Sequence, residues 1–223
     1  MVECIRKKGI GINMISDSFK IYDISMKITR DMPVYKGRDE KRPKLVTVSD
    51  FNSGSAYETV LEMNMHTGTH LDRSLHMIPG GTRVDSLKLE QVITKCKVFD
   101  LSSCVDKITA SDLKDKDIKE DDFILLKTRN SFEDILEGDF IYVDESGAQY
   151  LRDKKIKGVG IDSLGIERSQ PEHPTHIKLL EADIVILEGL CLKEIDEGEY
   201  FLFAAPIYLP EAEAAPVRAV LLR

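Results

Sequence analysis

The chain has 223 residues, of which 42% are hydrophobic and 31% charged, the composition of a globular protein and not of a disordered or fibrous one. Its 31 Lys and Arg against 39 Asp and Glu give a net charge of −8 with no basic stripe, so nucleic acid is not an expected partner. No apolar run approaches the ~20 residues of a membrane span, and the N-terminal MVECIRKKGIGINMISDSF lacks the apolar core of a signal peptide, so no membrane association and a cytoplasmic location are expected.

Cys4, Cys96, Cys104 and Cys191 are widely spaced with no CxxC pair, which reads as free thiols in a reducing compartment. Residues 1–20 read as an N-terminal extension, the first fifteen or so dispensable, and residues 21–223 as one domain. Ile21 to Ile28 is expected to form a strand, followed by a charged stretch punctuated by Pro33, Gly37 and Pro43. Leu45 to Val48 suggests another. From Tyr57 to Met65 apolar and polar residues alternate, which predicts a half-buried strand ending at His66.

The middle of the chain repeats a pattern in which an apolar run stops at a carboxylate: Val98 to Asp100, Ile141 to Asp144, Val159 to Asp162 and Ile184 to Glu188. These predict buried strands. Helices are expected near Thr109 to Lys114, where Thr109 and Asp112 resemble a capping box, and near Ala148 to Lys154. After Pro171 and Pro174, His176, Leu179, Leu180 and Asp183 recur at helical spacing and should share an inward face. Tyr200 to Ala204 and Val217 to Leu222 close the chain as strands. Alternating strands and helices predict an α/β fold.

The densest chemistry lies in NMHTGTHLDRSLHMIPGG, from Asn64 to Gly81. His66, His70 and His76 fall close together with Asp72 between them, and imidazole with carboxylate is a donor set that suits zinc, or alternatively manganese. Any one of these histidines alone reads more simply as a loop or core residue; three together favour a metal site. Thr67, Gly68 and Thr69 are poor helix formers, so the histidines are placed on a strand end and the loop after it. Gly68 would let the backbone turn tightly enough for two imidazoles to converge. His176 and Glu188 are open to two readings, a second metal site or a core histidine and a strand-end carboxylate. No GxSxG elbow surrounds Ser102, Ser103 or Ser146, which argues against a serine hydrolase.

HTGTHLD followed by His76 resembles the HxGTHxDxPxH motif of the metal-dependent cyclase family, which includes arylformamidases and isatin hydrolases. IYDISMKITRDMPVYKG, GVGIDSLGIE and VRAVLL are similar to further segments of that family, so the resemblance spans nearly the whole chain after Lys20. It implies a swivelling β/β/α-type α/β domain that hydrolyses formamide or cyclic amide bonds with one or two divalent ions. Carried over by position, it implies that His66, His70 and Asp72 hold the first ion, that Asp72 bridges to a second held by His176 and Glu188, and that His76 is the catalytic acid/base. Tyr35 stands where the family's substrate-contacting aromatic would be.

Arg73 and Ser74 depart from the Ala and Pro usual in the motif, which implies a less rigid loop. Arg73 has three readings: pointing outward, pairing with a substrate carboxylate, or opposing the second ion by its charge. The small-molecule substrate expected is an N-formyl aryl amine such as N-formylkynurenine. Another amide, lactam or lactone is the alternative, and a catalytically silent metal- or ligand-binding homologue is the reading from another class. The resemblance also implies a homodimer or homotetramer, with Pro206 to Pro216 as the expected contact segment.

Overall fold

The computed structural model describes residues 19–223. The N-terminal extension, including the part read as dispensable, lies outside the described residues apart from Phe19 and Lys20. In chain order the elements are β1 (Ile21–Asp23), β2 (Lys44–Ser49), β3 (Glu58–Glu62), β4 (His70–Asp72), α1 (Leu89–Val92), β5 (Ile93–Asp100), β6 (Lys107–Ile108), α2 (Ala110–Leu113), β7 (Phe123–Lys127), β8 (Tyr142–Val143), α3 (Glu145–Asp153), β9 (Gly158–Ile161), α4 (Pro174–Glu181), β10 (Val185–Glu188), β11 (Gly198–Phe203), β12 (Ala214–Pro216) and β13 (Val220–Leu222).

Nine strands form one mixed sheet in the order β1-β13-β11-β5-β7-β9-β10-β4-β12. The inner run β5-β7-β9-β10 is parallel, and both flanks are antiparallel. Side chains on successive strand residues point to opposite faces, and the buried residues divide accordingly. Ile124, Leu126, Val159, Ile161 and Ile186 pack with Leu151, Leu179 and Leu180 of α3 and α4. Phe123, Leu125, Val185, Leu187 and Leu71 pack on the other face with Leu202 and Leu221. The sheet is thus covered on both sides, the condition under which parallel strands are stable.

Three helices match the sequence pattern. Thr109 closes a capping box with Asp112 at the start of α2. Asp144 accepts a hydrogen bond from the Gly147 amide at the start of α3. Pro174 occupies the first turn of α4, where its missing N–H costs no helical bond. His176, Leu179 and Leu180 do face inward, whereas Asp183 lies beyond the helix end with φ +56° and is exposed.

Several elements differ from expectation. The Tyr57 to Met65 strand shrinks to β3 and is not half-buried: all its residues are exposed, because it pairs with β2 in a two-stranded ribbon apart from the main sheet. The Ile21 strand ends at Asp23, and Ser25 makes a separate bridge to Leu190. The Ile141 run does not enter the main sheet, since β8 pairs with β6. The central strand β7 was not anticipated; FILLK is buried on both faces, so it lacks the alternation that marks a half-buried strand. Part of the Pro206 to Pro216 segment is β12, paired with β4, and so belongs to the sheet rather than to a free loop.

Candidate metal centre

The centre follows from strand register. In β4 Leu71 faces the core away from α4, so His70 and Asp72 both point toward it; in β10 Leu187 and Ile186 alternate likewise, which puts Glu188 on the same side as Asp72. β4 and β10 pair antiparallel, with His70 opposite Glu188 and Asp72 opposite Ile186. Two strands therefore set three donors on one patch of one face, and α4, packed over that face, lowers His176 onto it.

The resulting distances are short. His70 Nε2 lies 3.3 Å from Glu188 Oε2 and 3.5 Å from Asp72 Oδ1. His176 Nε2 lies 3.4 Å from Glu188 Oε1 and 4.0 Å from Asp72 Oδ2. His66, in the turn before β4, brings Nδ1 to 3.0 Å from Asp72 Oδ1. The ring of His76 lies 4.0 Å from that of His66 and 5.6 Å from that of His176, centroid to centroid. All six residues predicted from the motif and the second segment are brought together.

The donors are prepared on their outer sides. His70 Nδ1–H donates to the Gly68 carbonyl at 2.8 Å, and His176 Nδ1–H donates to Glu167 at 2.8 Å, so in each ring Nε2 is the nitrogen left facing the Asp72 and Glu188 carboxylates. His66 Nε2–H donates to Glu213 at 3.1 Å. Such outer carbonyl or carboxylate partners fix ring orientation and raise ligand basicity. Glu167 and Glu213 were missed in the sequence, although a ligating histidine calls for such a partner, because spacing cannot pick one carboxylate among 39 acidic residues.

Backbone geometry permits this crowding. Gly68 has φ +70° and Gly189, directly after Glu188, has φ +68°; a Cβ on Gly189 would collide with the Gly68 carbonyl. Glycine is required where these two ligand-bearing segments cross. Thr69 Oγ1 donates to the Gly189 carbonyl at 2.5 Å and closes the crossing. Ser74 accepts from the Thr82 amide at 2.7 Å, so the loop carrying His76 is tied across its base by hydrogen bonds where the motif's proline would have stiffened it.

The fit to a cation is decided by what the buried atoms lack. Asp72 is 0% exposed and His70 1% exposed, yet Asp72 Oδ1, Asp72 Oδ2 and His70 Nε2 have no hydrogen-bond partner. Buried polar atoms are almost always satisfied, and here the orphans lie side by side, His70 Nε2 being 3.5 Å from Asp72 Oδ1. His66, Asp72 and His76, and again His70, Asp72 and Glu188, each present a group of ligand atoms within 4.8 Å of one another, with Asp72 shared. This is a divalent-metal site.

Electrostatics agree. Burial alone would push the pKa of His70 and His176 down, but the adjacent Glu188 and Glu167 carboxylates and the charge of Asp72 lift them to about 9 and about 10. Burial and the Glu188 charge push Asp72 up, yet the His66 and His70 imidazoles hold it below its ordinary value. Burial also raises Glu188, and the His176 and His70 imidazoles beside it reverse this and hold it well below its ordinary value. Protons are thus retained on the imidazoles by a field that a cation would satisfy in their place. His76 is different: its burial dominates and lowers it to about 4, so it is a neutral imidazole at neutral pH.

The centre opens to a cavity of ≈ 140 Å³ whose wall includes Tyr35, Lys41, Met77 and Leu164. Burial and the charges of Glu188 and Glu167 raise the Tyr35 hydroxyl above its ordinary pKa, so it is a neutral phenol. Arg73 does not line the cavity. Its guanidinium, 3% exposed, donates to Asp183 Oδ1 at 2.9 Å and to Ser86 Oγ at 3.1 Å, so protein partners hold it outside the cavity lining.

A curled mixed sheet with a His/Asp/Glu metal centre on its helical face is the architecture of a metal-dependent hydrolase of the cyclase class. The chain belongs to the cyclase family: the family model described as "putative cyclase" matches residues 22–168. The chain is 32% identical over 205 residues to a kynurenine formamidase from Geobacillus thermodenitrificans, covering 89% of this chain and 95% of that protein. It is 47% identical to a solved structure described as a potential metal-dependent hydrolase with cyclase activity, covering 92% of this chain and 98% of the other with a TM-score of 0.86. Isatin hydrolase A from Labrenzia aggregata, 23% identical over 92% of this chain and 93% of that one, shares the fold with a TM-score of 0.79.

Proposed function

We propose that this chain is a metal-dependent amide hydrolase whose substrate is an N-formyl aryl amine such as N-formylkynurenine, and that zinc, with manganese as the alternative, occupies one or both halves of the centre. The observation that carries the reading is the orphaned Asp72 carboxylate, buried among His66, His70, His176 and Glu188. Kinship with proteins named kynurenine formamidase supports the substrate class. His66, His70 and Asp72 would hold the first ion, and His176 and Glu188, with Asp72 shared, the second.

A bound divalent ion supplies Lewis acidity and a water that ionises near neutral pH. The protein's own groups do the rest. His76, neutral at the cavity wall, takes a proton on a free ring nitrogen and returns it to the departing amine nitrogen, acting first as base and then as acid. Tyr35 offers an aromatic face to the aryl group. The cavity volume of ≈ 140 Å³ is close to the ~150 Å³ that suffices for one benzene ring, so a single ring enters and the remainder of the substrate extends through the mouth.

A homo-oligomer is part of the same proposal, supported by the apolar Val46, Val48, Val60 and Leu61 exposed on the β2–β3 ribbon. Sedimentation of a variant carrying Val48→Glu and Leu61→Glu tests it.

The decisive experiment assays the zinc- or manganese-loaded protein against N-formylkynurenine, formanilide and isatin, alongside His76→Ala. Hydrolysis of the formamides, falling by about 10² to 10⁴ in kcat in the variant while metal content is kept, supports the reading. Preferential opening of the cyclic amide moves the substrate class. Undiminished turnover in His76→Ala removes the role given to that histidine.

A further inference from the structure

The charged stretch Lys36 to Lys41 contains one residue that is not fully exposed. Lys36, Arg38, Asp39 and Glu40 are exposed, whereas Lys41 is half-buried and is the sole lysine or arginine among the described residues that line the cavity. Arg42 pairs with Asp39 and Glu137, and Lys44 with Glu62; Lys36 lies 5.2 Å from the Tyr35 centroid but is exposed and does not line the cavity. The Lys41 ammonium has no carboxylate partner among the described residues. It lies instead 5.4 Å from the centroid of the Tyr35 ring, on the cavity wall.

A partly desolvated ammonium without a counter-ion is costly, and a cavity that keeps one offers it to a ligand anion. Its position is also built. The Lys41 amide donates to the Arg38 carbonyl at 2.9 Å, and its carbonyl accepts from Thr67 Oγ1 at 3.0 Å. Thr67 follows His66 directly, so the backbone that carries the ammonium is tied to the segment that carries the metal ligands. The spacing between cation and metal centre is therefore a property of the fold.

We propose that Lys41 is the anion-recognition group of this cavity, and that the substrate is an aromatic amide carrying a carboxylate on or near its ring. The carboxylate meets Lys41, the ring lies against Tyr35, and the scissile carbonyl faces the His and carboxylate cluster. The opposite orientation would set the substrate anion against Glu167 and Glu188. Arg73, the cation that the sequence offered for this task, is already held by Asp183 and Ser86. The proposal rests on the hydrolase reading only for the scissile bond; recognition of the anion stands on Lys41 itself.

Binding tests it without turnover. Anthranilate and its neutral isostere anthranilamide, both fluorescent single-ring probes, are titrated into metal-loaded wild type, Lys41→Met and Lys41→Arg. The expected result is tighter binding of anthranilate than of anthranilamide by the wild type. Lys41→Met should weaken anthranilate about 10-fold or more, leave anthranilamide within about 2-fold, and be largely rescued by arginine. An unchanged anthranilate affinity in Lys41→Met, equal affinity of the two probes for the wild type, or no binding of either overturns the proposal. Selective anthranilate binding in a protein that hydrolyses no formamide would leave Lys41 in its role and reject the hydrolase reading instead.

Discussion

His70 and Glu188 face each other across the β4–β10 ladder, with Nε2 and Oε2 3.3 Å apart, so that a histidine from the motif and a carboxylate far along the chain form one ligand pair. Removing the carboxylate leaves His70 and His176 without their common acceptor. Glu188→Ala is expected to lower metal content after dialysis by half or more and to weaken the residual affinity by at least ~100-fold, more than loss of an outer partner costs. Elemental analysis of both proteins, with circular dichroism to check the fold, measures it. Metal content equal to wild type would show that Glu188 is not a ligand.

Glu167 is the outer partner of the opposite histidine. Its oxygen accepts from both the backbone amide and Nδ1–H of His176, which fixes the ring at the start of α4. Glu167→Gln keeps the shape and removes the charge, so metal affinity should fall about 10- to 100-fold with little change in thermal midpoint. Competition with a chelator reads the affinity. An unaltered affinity would mean that His176 is oriented by packing alone.

The pH dependence of the metal-free protein has a definite sign. His70 and His176 are raised from 6.5 to about 9 and about 10, so the folded state holds their protons more tightly than the unfolded state. Their stabilisation is complete below pH 6.5 and is lost as pH rises through 9 to 10. A bound cation displaces those protons, so metal affinity should rise over the same window. The thermal midpoints of chelator-treated and metal-loaded protein are expected to lie further apart near pH ~9.5 than near pH ~6.5. A gap that narrows would contradict the linkage.

Arg73 and Asp183 join the strand carrying Asp72 to the turn between α4 and β10, and hence link the segments that carry the ligands. Asp183 is exposed, so the ion pair alone contributes little, about 0–1 kcal/mol. Burial of the arginine stem adds to it. Arg73→Ala is expected to lower the thermal midpoint by about 2–4 °C and to weaken the metal centre several-fold, while Asp183→Asn should do less of both. Scanning calorimetry and chelator competition check the pair of values. Full metal affinity in Arg73→Ala would confine the arginine to stability.

Much of the centre was legible in the chain because its ligands are local. HTGTHLD places His66, His70 and Asp72 within a few residues, and the helical spacing of His176, Leu179 and Leu180 marks that histidine as inward-facing. The apolar runs that end in carboxylates likewise announce β9 and β10. The central strand β7 escaped because full burial erases alternation, and β3 misled because alternation does not show whether anything packs on it.

The sequence by itself therefore determined which donors are present and which of them share a strand or helix face. Only the tertiary structure decided that His70 meets Glu188, that Glu167 and Glu213 are the carboxylates behind the histidines, that Arg73 is spent on Asp183, and that Lys41 alone of its charged stretch reaches the cavity. The physical reason is that backbone periodicity sets the direction of a side chain relative to its own element. The partner across the gap is set by strand register and helix packing, which couple residues distant in the chain.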